Sequence, residues 1–436
     1  MNPEPTSFGR KGLALLRRCL PSLGASSVAA FIAASPCLQA QEADGPAEEP
    51  GASLSVYLLT AEPGNQIWEL FGHNAILIQD TESDYEKVFH YGLFSFSEPG
   101  FIPKFLRGEM MYWAGAGSLD PFLQSYERAN RKIWAQELNL SPNQKARLYV
   151  ALETAVLPEN RTYLYQYFTN NCSTRLRDDI NGIISDELRL ATAPDTAGVT
   201  WRTHTARLTK PSALGYLGIQ LMLGPKGDNL TSRWDEMWVP GKLREEVSTL
   251  TYRQGGEELP LMLSEELWTG SDRESEATAP PRRHLAFLGV GLVLGLLILG
   301  AGKGAASGSM LLKLGGVLLF GGWEVLCFLL GALFIVVHFT DHTFMYWNQN
   351  VLLFTPLGLG LALLIPAALL RGHSGPWVRR LATGALLFAA VALVLWLLPP
   401  TRQGNGEWVL FALPVHAALW WVVTRVFPAT PLPELT

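Results

Sequence analysis

In Tyr165-Gln166-Tyr167-Phe168-Thr169-Asn170-Asn171-Cys172-Ser173-Thr174-Arg175-Leu176-Arg177-Asp178-Asp179-Ile180 a polar loop turns into a helix. Leu176, Ile180, Ile183 and Ile184 recur at helical spacing, so Cys172 sits at or beside the helix N-terminus. Free backbone N–H groups and the positive end of the helix dipole gather there, and both favour a thiolate. The same donors suit a developing oxyanion. A thiol so placed is either a nucleophile or an inert buried side chain.

Charge and hydropathy divide the rest of the 436 residues around this stretch. Residues 41–281 carry 34 acidic and 21 basic side chains, whereas all others carry 5 and 13. From Leu285 to Thr436 only 11 of 152 residues are charged, against roughly 25% in soluble domains. The acidic part is long enough to bury a core; the apolar part cannot be a soluble surface. An acidic polar half repels phosphates, which excludes nucleic acid as the main partner.

The N-terminus reads as an export signal. Arg10, Lys11, Arg17 and Arg18 precede the mildly apolar Leu20–Ser35, and Leu38-Gln39-Ala40 offers a cleavage site. An uncleaved anchor is the alternative, since Pro21 weakens the apolar region. Five runs are long enough to cross a bilayer: Leu285–Ala301, Leu314–Val337, Val351–Leu370, Leu381–Leu398 and Trp408–Phe427. Pro356, Pro366 and Pro414 are expected inside spans. If Leu285 enters from outside, the inner segments carry Lys303, Lys313, Arg371, Arg379, Arg380 and Arg425, and the outer loops only Arg402, with Arg282 and Arg283 as contrary charges. This bias places residues 41–281 outside the cytoplasm, in agreement with the signal.

Of four cysteines, Cys19 and Cys37 lie in the signal and Cys327 lies in an apolar run. Cys172 is then the lone thiol of the exported part and has no internal disulfide partner. Lipidation at Cys37 is disfavoured by Pro36. A nucleophilic Cys needs a base. His73 follows Phe71-Gly72, a tight turn, and opens the buried strand Ala75-Ile76-Leu77-Ile78. His90 lies in a second strand, 87–94, and reads either as an orienting partner of His73 or as an ordinary half-buried strand residue, the commoner case. His204 has no supporting pattern, and His284 stands at the membrane boundary. No pair among Cys172, His73 and His90 has close metal-ligand spacing. Neither a Gly-x-Ser-x-Gly elbow nor a phosphate-cradling Gly loop is present.

Phe71-Gly72-His73, Tyr91-Gly92-Leu93-Phe94, Phe105-Leu106-Arg107-Gly108 with Tyr112-Trp113, Leu157-Pro158-Glu159-Asn160-Arg161 and the Asn-Cys-Ser-Thr-Arg-x-Arg-Asp element together resemble the exported domain of the Lnb-type lipoprotein N-acyltransferases, or lipoprotein intramolecular transacylases. The likeness covers roughly residues 53–220. The string Phe339-Thr340-Asp341-His342 through Asn348-x-Asn350 is similar to the membrane part of such proteins. The resemblance implies an α+β fold: a permuted papain-like (NlpC/LRAT-like) exported domain, His before Cys, then an all-α bundle of about five transmembrane helices. It also implies that Cys172 is the nucleophile and His73 its base, and that an acyl chain moves from the glyceryl moiety of a lipoprotein to its own N-terminal amine. Position 90 is His where a smaller polar residue is expected, which leaves the third catalytic member unassigned.

The expected organisation is a signal peptide over 1–40, an unstructured stretch over 41–52, an exported thiol-enzyme domain over 53–268, a linker over 269–284, a membrane domain over 285–427 and a cytoplasmic tail over 428–436. Asn171, Arg175, Arg177, Asp178 and Tyr112 are further orienting or substrate-binding candidates. The two arginines suit a phosphate or carboxylate, and equally a pairing with Asp178 or Asp179. The outer loop from His338 to Asn350 offers Asp341, His342 and Asn348 as a floor of the site, or else forms an interfacial belt of aromatic and polar residues. Near 241–250 an amphipathic helix lies on the membrane surface or packs onto the domain. No cofactor and no obligate protein partner are called for; the partners expected are the bilayer and a lipid or lipoprotein substrate. Three classes remain: a membrane-anchored thiol acyltransferase, a papain-like peptidase or amidase of the cell envelope, and a non-catalytic membrane-associated binding module. A wall peptidase has no need of five spans, which favours the first.

Overall fold

The apolar strings around His73 and Tyr91 become the middle of a sheet. The computed structural model describes residues 49–429. The expected signal peptide with Cys19 and Cys37, the segment 41–48 and the end of the tail, 430–436, lie outside the described residues. β1 (Leu54–Ala61), β2 (His73–Asp80) and β3 (Glu86–Leu93) are followed by α1 (Phe101–Arg107), β4 (Met111–Gly117), α2 (Leu119–Arg128) and β5 (Ile133–Leu138). Then come α3 (Pro142–Ala155), β6 (Thr162–Leu164) and α4 (Cys172–Ile183). With the later strand Met262–Thr269 these form a seven-stranded antiparallel sheet in the order Met262–Thr269, β5, β1, β2, β3, β4, β6.

Side chains alternate across a strand, so each face of the sheet has its own set. Val56, Leu58, Ile76, Ile78 and Phe89 share a core with Leu148 of α3 and Leu176 and Ile180 of α4. Leu59, Ala75, Leu77 and Val88 form a second core, under Phe122, Leu123 and Tyr126 of α2. Cover on both faces is why β1 and β2 read as near-continuous apolar runs rather than as alternating ones. The register brings three strand ends together: Ile133 pairs with Ala61, and Ala61 with His73.

The amphipathic stretch near 241–250 is the helix Pro240–Thr249, and its Leu243 and Val247 are buried in the sheet core. It packs onto the domain, not onto a membrane. Residues 270–283 have no helix or strand, yet Asn130 binds Asp272, and Arg207 binds Glu276 and the Ala277 carbonyl.

Among the described residues four helices are long and apolar enough to cross a membrane: His284–Ala306, Met310–Phe339, Pro376–Leu397 and Gly406–Val426. The expected span over 351–370 is corrected. Only Gly358–Arg371 is helical there, and 14 residues reach about 21 Å at 1.5 Å per residue, short of a hydrocarbon core of about 30 Å. Pro356 lies in the non-helical stretch before this helix, whereas Pro366 and Pro414 are inside helices. A proline ring disfavours helix at the residue before it, and the break survives because it is buried in protein. His416 takes the freed Leu353 carbonyl at 2.8 Å, and Asn405 binds buried Asn350 at 2.9 Å.

Candidate active site

α4 begins at Cys172 because Asn171 caps it. The Asn171 side chain accepts from the Thr174 N–H, and the Thr174 hydroxyl in turn accepts from the Asn171 N–H at 2.7 Å. This reciprocal box satisfies two donors that a helix start leaves open. The Asn171 amide also donates to the Tyr167 and Trp238 carbonyls, and Ser173 donates to the Met237 carbonyl at 2.6 Å. Asn171 is therefore a clamp on the start of α4.

Cys172 is buried against β2 and β3. The backbone N–H groups of Asn74, of Ser173 and of Cys172 itself act on the thiol and favour its charged form, so the residue after His73 belongs to the surroundings of Cys172. On the β3 side Gly92 has φ 87°, and a side chain there would meet the Cys172 Cβ at 3.5 Å and the Tyr165 ring at 3.6 Å. The positive φ is what favours glycine there, since those contacts are ordinary van der Waals distances.

His73 enters β2 from Gly72, and its Nε2 lies 3.0 Å from His90 Nδ1. That contact leaves Nδ1 as the open nitrogen of His73. The His90 ring meets Phe122 edge-on, Phe122 packs on Tyr126, and the Arg131 guanidinium lies over the Tyr126 ring at 4.7 Å. Arg131 is buried. Its Nε donates to the Glu62 carbonyl at 2.8 Å, Glu69 stands 3.8 Å away, and Nη2 has no partner within the protein.

Burial pushes the Cys172 thiol above its ordinary value, against the three N–H groups and the Arg131 charge, which lower it. Burial also holds His73 well below the ordinary imidazole value, with His90 and Arg131 adding to the effect, and holds His90 down at about 4. The N–H groups at the helix N-terminus favour the thiolate, and desolvation outweighs them. At neutral pH the resting forms are a neutral thiol and a neutral imidazole.

A pH profile follows from the signs. Alkylation of Cys172 by iodoacetamide is expected to accelerate with rising pH and to keep rising beyond 9, because only the thiolate reacts. Arg131→Met removes a cation that lowers the thiol. It is expected to move the rise to higher pH and to slow alkylation at pH 8. Fast alkylation that is flat down to pH 6 would mean a preformed thiolate–imidazolium pair instead.

The remaining candidates separate into two groups. Tyr112 stacks on Tyr165 at 4.4 Å and on Phe94 at 4.9 Å, forming a wall beside the thiol. His342 stacks on Tyr167 and meets the Phe105 carbonyl at 2.8 Å, and the Asp341 N–H donates to the Arg107 carbonyl at 2.7 Å. Both tie the outer loop to α1. Arg175 binds Asn170 and lies over the Tyr163 ring at 4.4 Å. Three candidates are bonded into the surrounding protein. Arg177 is buried, bonded to Asp178 and to the Trp234 carbonyl and laid over the Trp234 ring; Asp178 faces half-outward as its partner. Asn348 is buried and bonds the Leu221 and Met222 carbonyls.

Arg131, Tyr126, Tyr163, Tyr165 and Asn74 also surround Cys172, and no local motif marks them as a group. His90, for which an ordinary strand position is the commoner case, stands 3.0 Å from His73. His204, read as patternless, is buried with Nε2 2.8 Å from Glu236 and Nδ1 bonded by Arg207. With Gly72, Arg207 and Lys242 it borders a cavity of about 320 Å³ that neither Cys172 nor His73 lines. Among the described residues no group of three His, Cys, Asp or Glu side chains is placed to hold a metal ion.

Residues 47–207 match the family model of the Lnb N-terminal periplasmic domain, in agreement with the resemblance carried by the Phe-Gly-His and Asn-Cys-Ser motifs. With the four apolar helices, this makes the chain a membrane protein with a periplasmic segment. No curated protein and no solved structure matches it.

Proposed function

We propose that this chain is a lipoprotein-processing acyltransferase with a permuted papain-like catalytic domain, acting at the outer face of the bacterial cytoplasmic membrane through an acyl-thioester on Cys172. One observation carries the reading. A thiol at a capped helix N-terminus meets, at one end of the sheet, the strand that opens with His73, and the far nitrogen of His73 is already held by His90.

The chemistry follows from neutral partners. As sulfur bonds to an ester carbonyl carbon, the thiol gives its proton to His73 Nδ1. Backbone N–H groups at the start of α4 face the oxyanion. The ester carbon–oxygen bond then breaks, and the leaving alkoxide takes the proton from His73. An amine attacks the resulting thioester and passes a proton to His73; the carbon–sulfur bond breaks and sulfur recovers that proton. Amide and free thiol result. His90 holds the His73 ring in the orientation that leaves Nδ1 open, the role of an orienting partner in a catalytic triad. Fusion to membrane helices raises the effective concentration of membrane-bound esters at the site.

Mass spectrometry of lipoprotein N-termini from cells with and without the gene tests the substrate class. N-acylation is expected to be lost without the gene and restored by the intact copy. An identical acyl pattern in both would remove lipoproteins as the substrate.

A further inference from the structure

α1 is apolar over much of its surface. Phe101 and Phe105 stack on each other, and Phe101 continues onto Phe94. Ile102 and Leu106, one turn apart and about 100° round the helix from that pair, are 60% and 61% exposed, and Phe105 itself is 38% exposed. The same apolar exposure continues at Trp68, which meets Phe96 at 5.3 Å. Such a patch needs an occupant.

The occupant is indicated by what α1 is tied to. The membrane helix that starts at Met310 ends at Val336, and five residues later Asp341 donates to the Arg107 carbonyl. His342 bonds the Phe105 carbonyl, and Gly108, at φ 77°, comes so close to Asp341 that a side chain there would lie 3.0 Å from its Cβ. α1 is thus fastened to the outer end of a membrane helix. That outer loop also exposes Phe339 at 85% and Trp347 at 78%, the residue types that settle at the headgroup level. Lys104 and Arg107, the cations of α1, are paired with Glu98 and Glu109, so the face offers apolar contact and little net charge.

We propose that Ile102 and Leu106 of α1, with Trp68 and Phe96, form a seat in the outer leaflet of the bilayer that the chain itself spans, and that the acyl ester passes from this seat to Cys172. The route is an aromatic wall: Phe94 stacks on Tyr112, Tyr112 on Tyr165, and Tyr165 lies against Gly92 beside Cys172. Delivery rests on the thiol reading; the seat does not.

Two measurements on the full chain keep these apart. For the seat, Ile102→Cys in a background with the other cysteines replaced is labelled with bimane and placed in nanodiscs. Brominated phospholipid is expected to quench the label and aqueous iodide to leave it bright. Quenching by iodide alone overturns the seat. For delivery, the double substitution Ile102→Glu with Leu106→Glu is compared with wild type on two substrates. KM for a diacylglyceryl lipopeptide in vesicles is expected to rise about 10-fold or more, while acylation of Cys172 by a water-soluble short-chain ester stays within about twofold. Equal losses on both substrates, or none on either, overturn delivery. If wild type acylates Cys172 from neither substrate, the thiol reading has failed, and the bimane result still decides the seat.

Discussion

Cys172→Ala is expected to abolish acyl transfer, by about 10⁴-fold or more, because the proposed route passes through a thioester on this sulfur. The substitution should leave the fold intact. Cys172 is a small buried residue, and the cap that starts α4 belongs to Asn171 and Thr174, so the helix does not depend on the sulfur. Unchanged thermal melting together with lost turnover separates chemistry from structure. Cys172→Ser keeps the shape and the N–H donors but offers a far less acidic hydroxyl to a base already weakened by burial. It should be nearly as inactive as alanine. Retained transfer in either variant would remove Cys172 from the mechanism.

The second large effect is at His73. His73→Ala is expected to lower turnover by about 10²–10⁴-fold, the usual contribution of a positioned general base. The pH profile distinguishes this from misfolding. Without an internal base, the residual rate should rise with hydroxide concentration across the measured range, so the deficit narrows at high pH. His90→Ala should lose less, because His73 remains and only its ring orientation is freed. A His90 loss equal to that of His73 would mean that the two rings act as one unit in proton transfer.

Much of this site is legible from local sequence. Asn171 before Cys172 and the recurrence of Leu176, Ile180 and Ile183 place the thiol on a helix N-terminus, where α4 begins. Gly72 before an apolar run places His73 at the start of β2. What local sequence does not carry is register. β2 and β3 pair from Ile76 with Phe89 down to Gln79 with Glu86, and only that pairing brings the rings of His73 and His90 together. Arg131 shows the same limit: 41 positions before Cys172, it reaches the site because β5, β1 and β2 end in line. Burial sets a different limit. A helix terminus is visible in sequence and the depth of burial is not, and burial acts on Cys172 against the N–H groups that favour the thiolate. In the membrane part, Pro356 ends a stretch in which polar Asn350 and Thr355 bury into protein, and the α-helix begins only at Gly358.

The central claim, an acyl-thioester on Cys172, is tested most directly by trapping it. The full-length protein in nanodiscs is mixed with a diacylglyceryl lipopeptide whose amine is blocked, quenched in acid and examined by peptide mass spectrometry. The expected result is one acyl mass on the peptide containing Cys172, removed by neutral hydroxylamine and absent from Cys172→Ala. Transfer to an unblocked lipopeptide at the normal rate, with the acyl group found on another residue or on none, would contradict it.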